Sequence, residues 1–417
     1  MRIVVTGQAD LRMLADLLDP TDALPIGMGG IPPVHEIRML LTRGHDVTLV
    51  TLDPTITEEL VLRGPALTVH VGPCRPKRAI RTLHRAERRY LSATIRALGP
   101  DVVHAHWTYE YALAALDTGI PTVVTVHDAP LRMVRWNLPR HGAGSPLRRL
   151  ARTTHWILRA SMAWRVARRS RLNIAVSPHT RDHFERIMRS PGEIETIPNL
   201  MAAESWLAIM AGAPTEWNPT QRPFRCVSVL GTWGDLKNSK TLLEAFARVL
   251  ASGLDARLAL VGVDFGTEGE AARWARVRNL TEGVEFVGPL TNRAVLDLLA
   301  SADVLVHPSR EEACGMVITE AQLVSTAVIG GSDSGGVPWT LGYGVAGVLV
   351  DIDSADQLAD AIVAVARDHD RRHDLARSGH FLAVRRHEPE TLITRIESVL
   401  QRAIDAPTTG PRPRTAR

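Results

Sequence analysis

Two carboxylates, Glu312 and Glu320, bracket a loop in which Cys314, Gly315 and Met316 stand between them. The segment follows an apolar, strand-like run at 302–306 and opens into a helix-like stretch beginning near Val317. One acid therefore belongs to the loop, and the other lies about a turn inside the helix. Backbone N–H groups at a helix start lack internal partners and sit at the positive end of the helix dipole, so they favour an anion. Gly315 marks a point where the backbone must come close to something. Carboxylates beside such an anion site accept hydrogen bonds from hydroxyls. Together these properties suit a phosphate joined to sugars, a nucleotide-sugar above all.

Other residues fit the same chemistry. Lys237 ends the loop Gly231-Thr232-Trp233-Gly234-Asp235-Leu236-Lys237, directly after a strand-like run, where its ammonium can reach phosphate oxygens. A lone loop lysine is usually just solvated, and Lys240 is a nearby competitor; the position after a strand favours the functional reading. The segment Gly27-Met28-Gly29-Gly30-Ile31-Pro32-Pro33 precedes a helix pattern over 34–43. It reads either as a backbone cradle for phosphate or substrate, or as a plain strand–helix turn; its spacing is not a dinucleotide fingerprint. His127, followed by Asp128, closes an apolar run and can donate to a sugar hydroxyl or a developing charge, although a satisfied half-buried histidine is the blander reading.

Metal readings are weaker. His104 and His106 share a strand face, but no third ligand stands at a suggestive spacing, which favours a structural or substrate-facing role. His179-Thr180-Arg181-Asp182-His183 lacks the glutamate of a zinc helix. Asp351-Ile352-Asp353 has the form of a metal-binding acid pair, yet it precedes a helix pattern that Asp353 or Ser354 would cap. No metal is expected. The loop Ser332-Asp333-Ser334-Gly335-Gly336-Val337-Pro338 is a further strand-terminal segment suited to touching a donor sugar.

The elements that must position these groups alternate along the chain. Strand-like runs fall at 3–6, 46–51, 68–71, 102–104, 122–126, 173–176 and 195–197, then at 226–230, 257–261, 284–287, 304–307, 327–329 and 347–350. Most are continuous apolar runs, as in a parallel sheet covered on both faces. Two such series predict an α/β protein of two doubly wound, Rossmann-like domains facing a central cleft. The expected division is 1–205 and 222–385, joined by a turn-rich linker around 212–219, with a final helix over 386–405 and a disordered basic tail over 406–417.

A chain of 417 residues accommodates two cores, and 45% apolar with 23% charged residues is ordinary for a globular protein. Three widely spaced cysteines, Cys74, Cys226 and Cys314, form neither a disulfide framework nor a CxxC pair, which predicts a reducing, cytoplasmic setting. No apolar run is long enough to span a membrane. The net charge of +4 hides two basic regions: 75–99 holds eight basic residues against Glu87 alone, and 146–171 holds eight arginines and no acid. The second also carries Leu147, Leu150, Ile157, Leu158, Met162 and Val166, with Trp156 and Trp164 as candidate anchors. It reads as an ordinary helix with a solvated arginine face, or as a contact for an anionic membrane surface or acceptor. No aromatic stacking motif accompanies the charge, so nucleic acid is not expected.

With these residues laid out, the chain resembles the family-4 retaining glycosyltransferases of the GT-B fold, group 1 type, over residues 1 to about 403. Gly44-His45-Asp46-Val47-Thr48, Asp101-Val102-Val103-His104-Ala105-His106, Val124-Thr125-Val126-His127-Asp128 and Ile197-Pro198-Asn199 stand in the family's order; the specific signal is Glu312 to Glu320, E-x7-E, with Lys237 and Gly335-Gly336-Val337-Pro338. The resemblance implies a metal-independent transfer of a sugar from a UDP- or GDP-sugar to a glycan, lipid-linked sugar or small molecule. It further implies that Glu320 holds ribose hydroxyls and Glu312 contacts the transferred sugar. Lys237 and the N–H groups around Cys314, Gly315 and Met316 would neutralise the diphosphate, with Gly231, Gly288 and Arg310 in the donor site. His127 would contact the sugar, and Gly29 and Gly30 the phosphate or acceptor. The sequence departs from the pattern at Thr232, where arginine is usual, at Cys314, where an aromatic residue is usual, and at Trp339, which replaces an acid. Loss of one cation leaves Arg310, Lys240 or arginines of the first domain to compensate, at about 1.5–3 kcal/mol per charge-assisted hydrogen bond. Alternatives on the same architecture are a nucleotide-sugar epimerase, a phosphorylase and a non-catalytic nucleotide-sugar binder; a nicotinamide oxidoreductase is more distant.

Overall fold

The computed structural model describes residues 1–20, 24–75, 79–137, 146–203, 205–206 and 222–406. The expected linker at 212–219 and the basic tail from residue 407 onward lie outside the described residues. The chain forms two compact units. Unit 1 comprises Met1–Val176, Thr180–Leu200 and the chain from Pro389 onward; unit 2 comprises Ser177–His179 and Met201–Glu388.

Unit 1 is built on β1 (Arg2–Thr6), β2 (Asp46–Asp53), β3 (Leu60–Arg63), β4 (Leu67–Pro73), β5 (Val102–His106), β6 (Thr122–Val126), β7 (Leu172–Ala175) and β8 (Glu193–Thr196). Their spatial order is β3-β4-β2-β1-β5-β6-β7-β8, and every pairing is parallel except that of β3 with β4. Successive side chains point to opposite faces of a strand. Ile3, Val5, Leu49 and Val102 accordingly join one core with Val34, Ile37 and Leu40 of the helix Pro32–Thr42 and with Leu392, Ile396 and Leu400 of the helix Pro389–Asp405. Val4, Val50, Val103 and Val124 face a second core with Leu91, Ile95, Met162 and Val166. Burial on both faces is why these strands read as unbroken apolar runs.

One feature departs from the sequence reading. β3 was not among the expected strands; it is a four-residue edge strand with alternating burial, too short to stand out as an apolar run. The arginine-rich helix Pro146–Ala167 does not present one apolar face. Met162 and Val166 are buried in the core, whereas Leu150, Ile157 and Trp164 are 64%, 52% and 54% exposed. Among the described residues no helix is long and apolar enough to cross a membrane.

Unit 2 contains β9 (Phe224–Val229), β10 (Ala256–Val261), β11 (Val284–Gly288), β12 (Val304–His307), β13 (Ala327–Gly331) and β14 (Val348–Val350), all parallel, in the order β11-β10-β9-β12-β13-β14. Counted along the chain this is the doubly wound order 3-2-1-4-5-6, with the reversal between β9 and β12. Cys226, Leu258, Leu260, Val304 and Val306 pack one face against Leu242, Phe246 and Ile362, and Val227, Leu305 and Val328 pack the other against Leu296, Ile318 and Leu341. Unit 1 has the same reversal between β1 and β5. In open α/β sheets such a reversal leaves a crevice at the carboxyl ends of the strands.

Candidate functional site

The loop after β9 and the loop after β12 meet at the reversal point of unit 2. Leu236 O accepts from Arg310 N at 2.8 Å, which ties the two loops together. Lys237 Nζ donates to Glu312 Oε1 at 2.5 Å, and His307 Nε2, at the end of β12, lies 3.2 Å from the same oxygen. Burial opposes the charge on Glu312, but Lys237 and His307 outweigh it and hold the carboxyl well below the usual carboxylate range. Glu312 is therefore an anion at neutral pH, with an ammonium fixed beside it.

The backbone of Glu312 is held as firmly as its side chain. Gly336 N donates to Glu312 O at 2.7 Å. Gly335 has a left-handed φ of +64°, and a Cβ built on it would stand 2.4 Å from Glu312 O. The Gly335-Gly336 segment, read from sequence as a loop suited to touching a sugar, thus closes against the Glu312 loop, where a side chain would not fit. Beyond it, Gly315 caps the helix Met316–Leu323 with φ +67°, again a conformation that favours glycine. Cys314 is buried, and its carbonyl accepts from Thr340 Oγ1 at 2.7 Å. The first N–H groups of this helix, Met316 among them, have no partners inside the helix.

Glu320 lies in the same helix. It is buried and accepts from Asn292 Nδ2 at 2.8 Å. Burial raises its pKa, only partly countered by that hydrogen bond. A buried carboxylate with one amide donor has unused acceptor capacity, which is what vicinal hydroxyls require. Asn292 was not singled out in the sequence; it is the first residue of the helix Asn292–Ala300, and nothing local marks it as Glu320's partner. His307 was likewise missed, and His179, set aside above as part of a zinc helix, pairs through Nε2 with Glu311 Oε1 at 2.6 Å. The position of His307, one residue before Pro308 at a strand end, was the available signal.

The remaining expected groups are distributed differently. Thr232 and Gly231 are exposed. The cations proposed to replace an arginine there are engaged by acids: Arg310 Nε with Asp353 Oδ1 at 2.5 Å and Lys240 Nζ with Asp235 Oδ1 at 3.2 Å. Gly288 ends the edge strand β11, two strands from the reversal, with φ +84° and its N–H on Phe265 O. Ser354 caps the helix Ala355–Arg367 by accepting from Gln357 N.

In unit 1, His106 ends β5 and His127 follows the neighbouring β6. His106 Nδ1 and His127 Nε2 are 2.9 Å apart, and the rings stack at 5.1 Å. The third group that the spacing did not reveal is Glu36, on the helix Pro32–Thr42. Its Oε1 lies 2.5 Å from His104 Nδ1 and its Oε2 3.3 Å from His106 Nε2, while His104 Nε2 meets Thr125 Oγ1 at 2.7 Å. Burial disfavours charge on Glu36, but His104 and His106 reverse this and keep it ionised. Burial also drives His127 well below its ordinary value, reinforced by the two neighbouring histidines, so its imidazole is neutral at pH 7. Glu36, His104 and His106 bring three donor atoms within 4.8 Å of one another, close enough to hold a metal ion, although Glu36 and His104 are already hydrogen-bonded to each other. Gly30 is required by a contact inside the protein: a Cβ there would meet Gln8 O at 2.1 Å. Gly29, at φ +74°, has open space around it.

Residues 219–380 match the family described as glycosyl transferases group 1, and residues 34–203 match glycosyltransferase family 4. The GDP-mannose-dependent monoacylated alpha-(1-6)-phosphatidylinositol monomannoside mannosyltransferase of Corynebacterium glutamicum is 27% identical over 172 residues, which are 40% of this chain and 44% of that relative. This chain thus aligns with less than half of that relative's length. Among solved structures, sucrose-phosphate synthase from Thermosynechococcus elongatus superposes with a TM-score of 0.72 at 18% identity, covering 98% of this chain and 100% of that one. Anabaena HepE in complex with UDP gives 0.63 at 19% identity, covering 96% and 100%. Both likenesses establish the GT-B fold with its two Rossmann-like domains. With both family matches in the order the two sheets follow, the chain belongs to family 4 of the glycosyltransferases, group 1 type.

Proposed function

We propose that this protein transfers a hexosyl group from a nucleotide-diphosphate sugar to a hydroxyl-bearing acceptor, with retained anomeric configuration and without a bound metal or other cofactor. The observation that carries this reading is the Lys237–Glu312 contact beside the helix start at Gly315. Breaking the bond between the anomeric carbon and the phosphate oxygen puts negative charge on the departing diphosphate and positive charge on the sugar ring. Lys237 keeps N–H donors beyond the one it gives Glu312, and with the N–H groups around Cys314, Gly315 and Met316 it stabilises the first charge. The Glu312 carboxylate steadies the second. Such preorganised groups act strongly where water is excluded. The acceptor oxygen forms the new bond on the face the phosphate leaves, and its proton passes to a phosphate oxygen.

Glu320 takes the ribose hydroxyls, Arg310, Gly231 and Gly288 complete the donor site, and His127 contacts the sugar as a neutral donor or acceptor. Gly29 and Gly30 serve the acceptor. A GDP- or UDP-sugar is the donor, in keeping with the GDP-mannose dependence in the name of the corynebacterial relative and the UDP held by HepE. The exposed Leu150, Ile157 and Trp164 on an arginine-rich helix support an acceptor presented at an anionic membrane surface on the cytoplasmic side.

Thermal-shift screening against UDP, GDP, ADP and dTDP sugars, followed by donor consumption with an acceptor panel and anomeric analysis of the product, tests the reading. Stabilisation by no nucleotide-sugar would defeat it. Donor binding without turnover would favour a non-catalytic binder, a reading motivated by Thr232 and by the acid-paired Arg310 and Lys240. Epimer or phosphate-dependent release from donor alone would favour the epimerase or phosphorylase.

A further inference from the structure

A second cluster in unit 1 lies outside the groups assigned above to the sugar chemistry. Cys74 follows β4, His84 precedes the helix Arg85–Leu98, and Glu87 lies in its first turn. They are 5%, 4% and 4% exposed, and one donor atom from each lies within 4.8 Å of the others. Glu87 Oε1 accepts from Arg75 N at 3.1 Å, but Glu87 Oε2 and both ring nitrogens of His84 have no hydrogen-bond partner among the described residues. Buried polar groups are ordinarily satisfied, so three orphaned atoms around one thiol call for an occupant. In the Glu36–His104–His106 cluster only His106 Nε2 lacks a hydrogen bond among the described residues, and it stands 3.3 Å from Glu36 Oε2, while His104 is satisfied by Glu36 and Thr125. Leu83 and His84 are consecutive non-glycine residues at φ 50° and 53°, a backbone that persists only where its surroundings over-determine it. Acids and guanidinium groups both surround the cluster. Glu110 is buried nearby with Oε2 unpaired by any hydrogen bond, and its nearest guanidinium, that of Arg159, is 3.7 Å away.

We infer that Cys74, His84 and Glu87 form a structural site for a zinc-class divalent cation. A thiolate, a neutral imidazole and a carboxylate together balance the charge of one such ion, and the soft sulfur selects zinc over magnesium or calcium. The thiol proton is released to solvent on binding. With bonds of about 2.0–2.3 Å, tetrahedral ligands stand on the order of 3.5 Å apart, so donors within 4.8 Å need draw together by at most about 1.3 Å. The fourth position falls to water. The ion would fasten the carboxyl end of β4 to the start of the following helix.

The test uses the full chain, stripped with chelator and titrated with cobalt(II) as a spectroscopic stand-in. The expected result is a thiolate-to-cobalt charge-transfer band that saturates at one equivalent, bleaches on adding zinc, and accompanies a rise in melting temperature. Cys74→Ser abolishes the band and Cys226→Ser keeps it. His84→Asn and Glu87→Gln each weaken affinity by more than the roughly 10–100-fold lost when only a ligand's supporting contact is removed. No charge-transfer band in the wild type overturns the inference, whether or not the variants fold, and so does a band that survives Cys74→Ser.

Discussion

Lys237→Ala separates the two roles of the lysine. Its Nζ lies 2.5 Å from Glu312 Oε1, with the two side chains 23% and 18% exposed. Removal leaves Glu312 with only His307, at 3.2 Å, among the described residues. Loss of a charge-assisted hydrogen bond costs about 1.5–3 kcal/mol, towards the lower end here because some solvent reaches the pair. A loss of about 2 kcal/mol lowers the melting temperature of a unit this size by roughly 4–8 °C. The folded pKa of Glu312 lies below its unfolded value of about 4.3. The pair's stabilisation is thus fully present above that unfolded value and disappears as pH falls through the folded pKa. Wild type and variant should differ at pH 7 and converge only in strongly acid solution. In turnover, removing one preorganised donor from a developing anion costs about 10²–10³-fold in kcat. Adding Glu312→Gln removes the stranded charge, so the double variant should regain most of the lost melting temperature and none of the lost turnover. Differential scanning calorimetry and donor consumption at saturating donor read the two effects. Near wild-type turnover in Lys237→Ala would refute the catalytic role, and a double variant no more stable than the single one would refute the stranded-charge account.

Glu320 has a raised folded pKa, so its burial favours folding below the unfolded value and loses that advantage as pH rises through the folded pKa; Glu320→Gln should melt higher than wild type at pH 7 and alike near about pH 4 by calorimetry. The same variant should weaken donor binding about 10–150-fold by isothermal titration, and unchanged affinity would remove Glu320 from the donor site. Gly335→Ala puts a Cβ 2.4 Å from Glu312 O and 2.9 Å from Glu311 Oε1, so it should displace the Glu312 loop and abolish turnover, whereas Gly44→Ala, at φ +78° with open space, should show only the left-handed strain of about 1–2 kcal/mol in its melting temperature. Glu36→Gln withdraws the anion facing His104 and His106 and should lower stability by about 1.5–3 kcal/mol and slow transfer while nucleotide-induced thermal shifts persist; unaltered kinetics would make that cluster purely structural.

The sheets were legible because burial on both faces leaves an unbroken apolar run. β6 (Thr122–Val126) and β12 (Val304–His307) fall where the pattern put them, and several others differ by one or two residues at their ends. β3 escaped because its apolar run, Leu60-Val61-Leu62 before Arg63 on an edge strand, is only three residues long. The helix Pro146–Ala167 left two readings open for a different reason. Its apolar residues are plentiful, but periodicity cannot say which of them meet the sheet, and Met162 and Val166 do while Ile157 and Trp164 do not.

At the candidate site, legibility followed sequence distance. Glu312, Glu320 and Gly315 stand within one short segment, and their roles as loop acid, helix acid and left-handed cap follow from local backbone geometry. Lys237 was singled out for its own position, although its partner lies 75 residues away. Where neither member is locally conspicuous, the pair is invisible. Glu36 looks like any helical glutamate until the sheet brings His104, 68 residues on, to its carboxylate; Asn292 looks like a helix start until it meets Glu320. Gly335 and Gly336 show the same effect in the backbone. Locally they signal freedom, but the parallel bridge between Gly335 and Glu312 turns that freedom into a fit that no side chain could enter. The positive charge at the helix start therefore depends on one lysine whose position is fixed by an acid from a separate loop. Because Arg310 and Lys240 are held by Asp353 and Asp235, neither replaces the arginine missing at Thr232 without first giving up a carboxylate. A diphosphate, bearing more charge than either acid, is the kind of ligand able to draw them away.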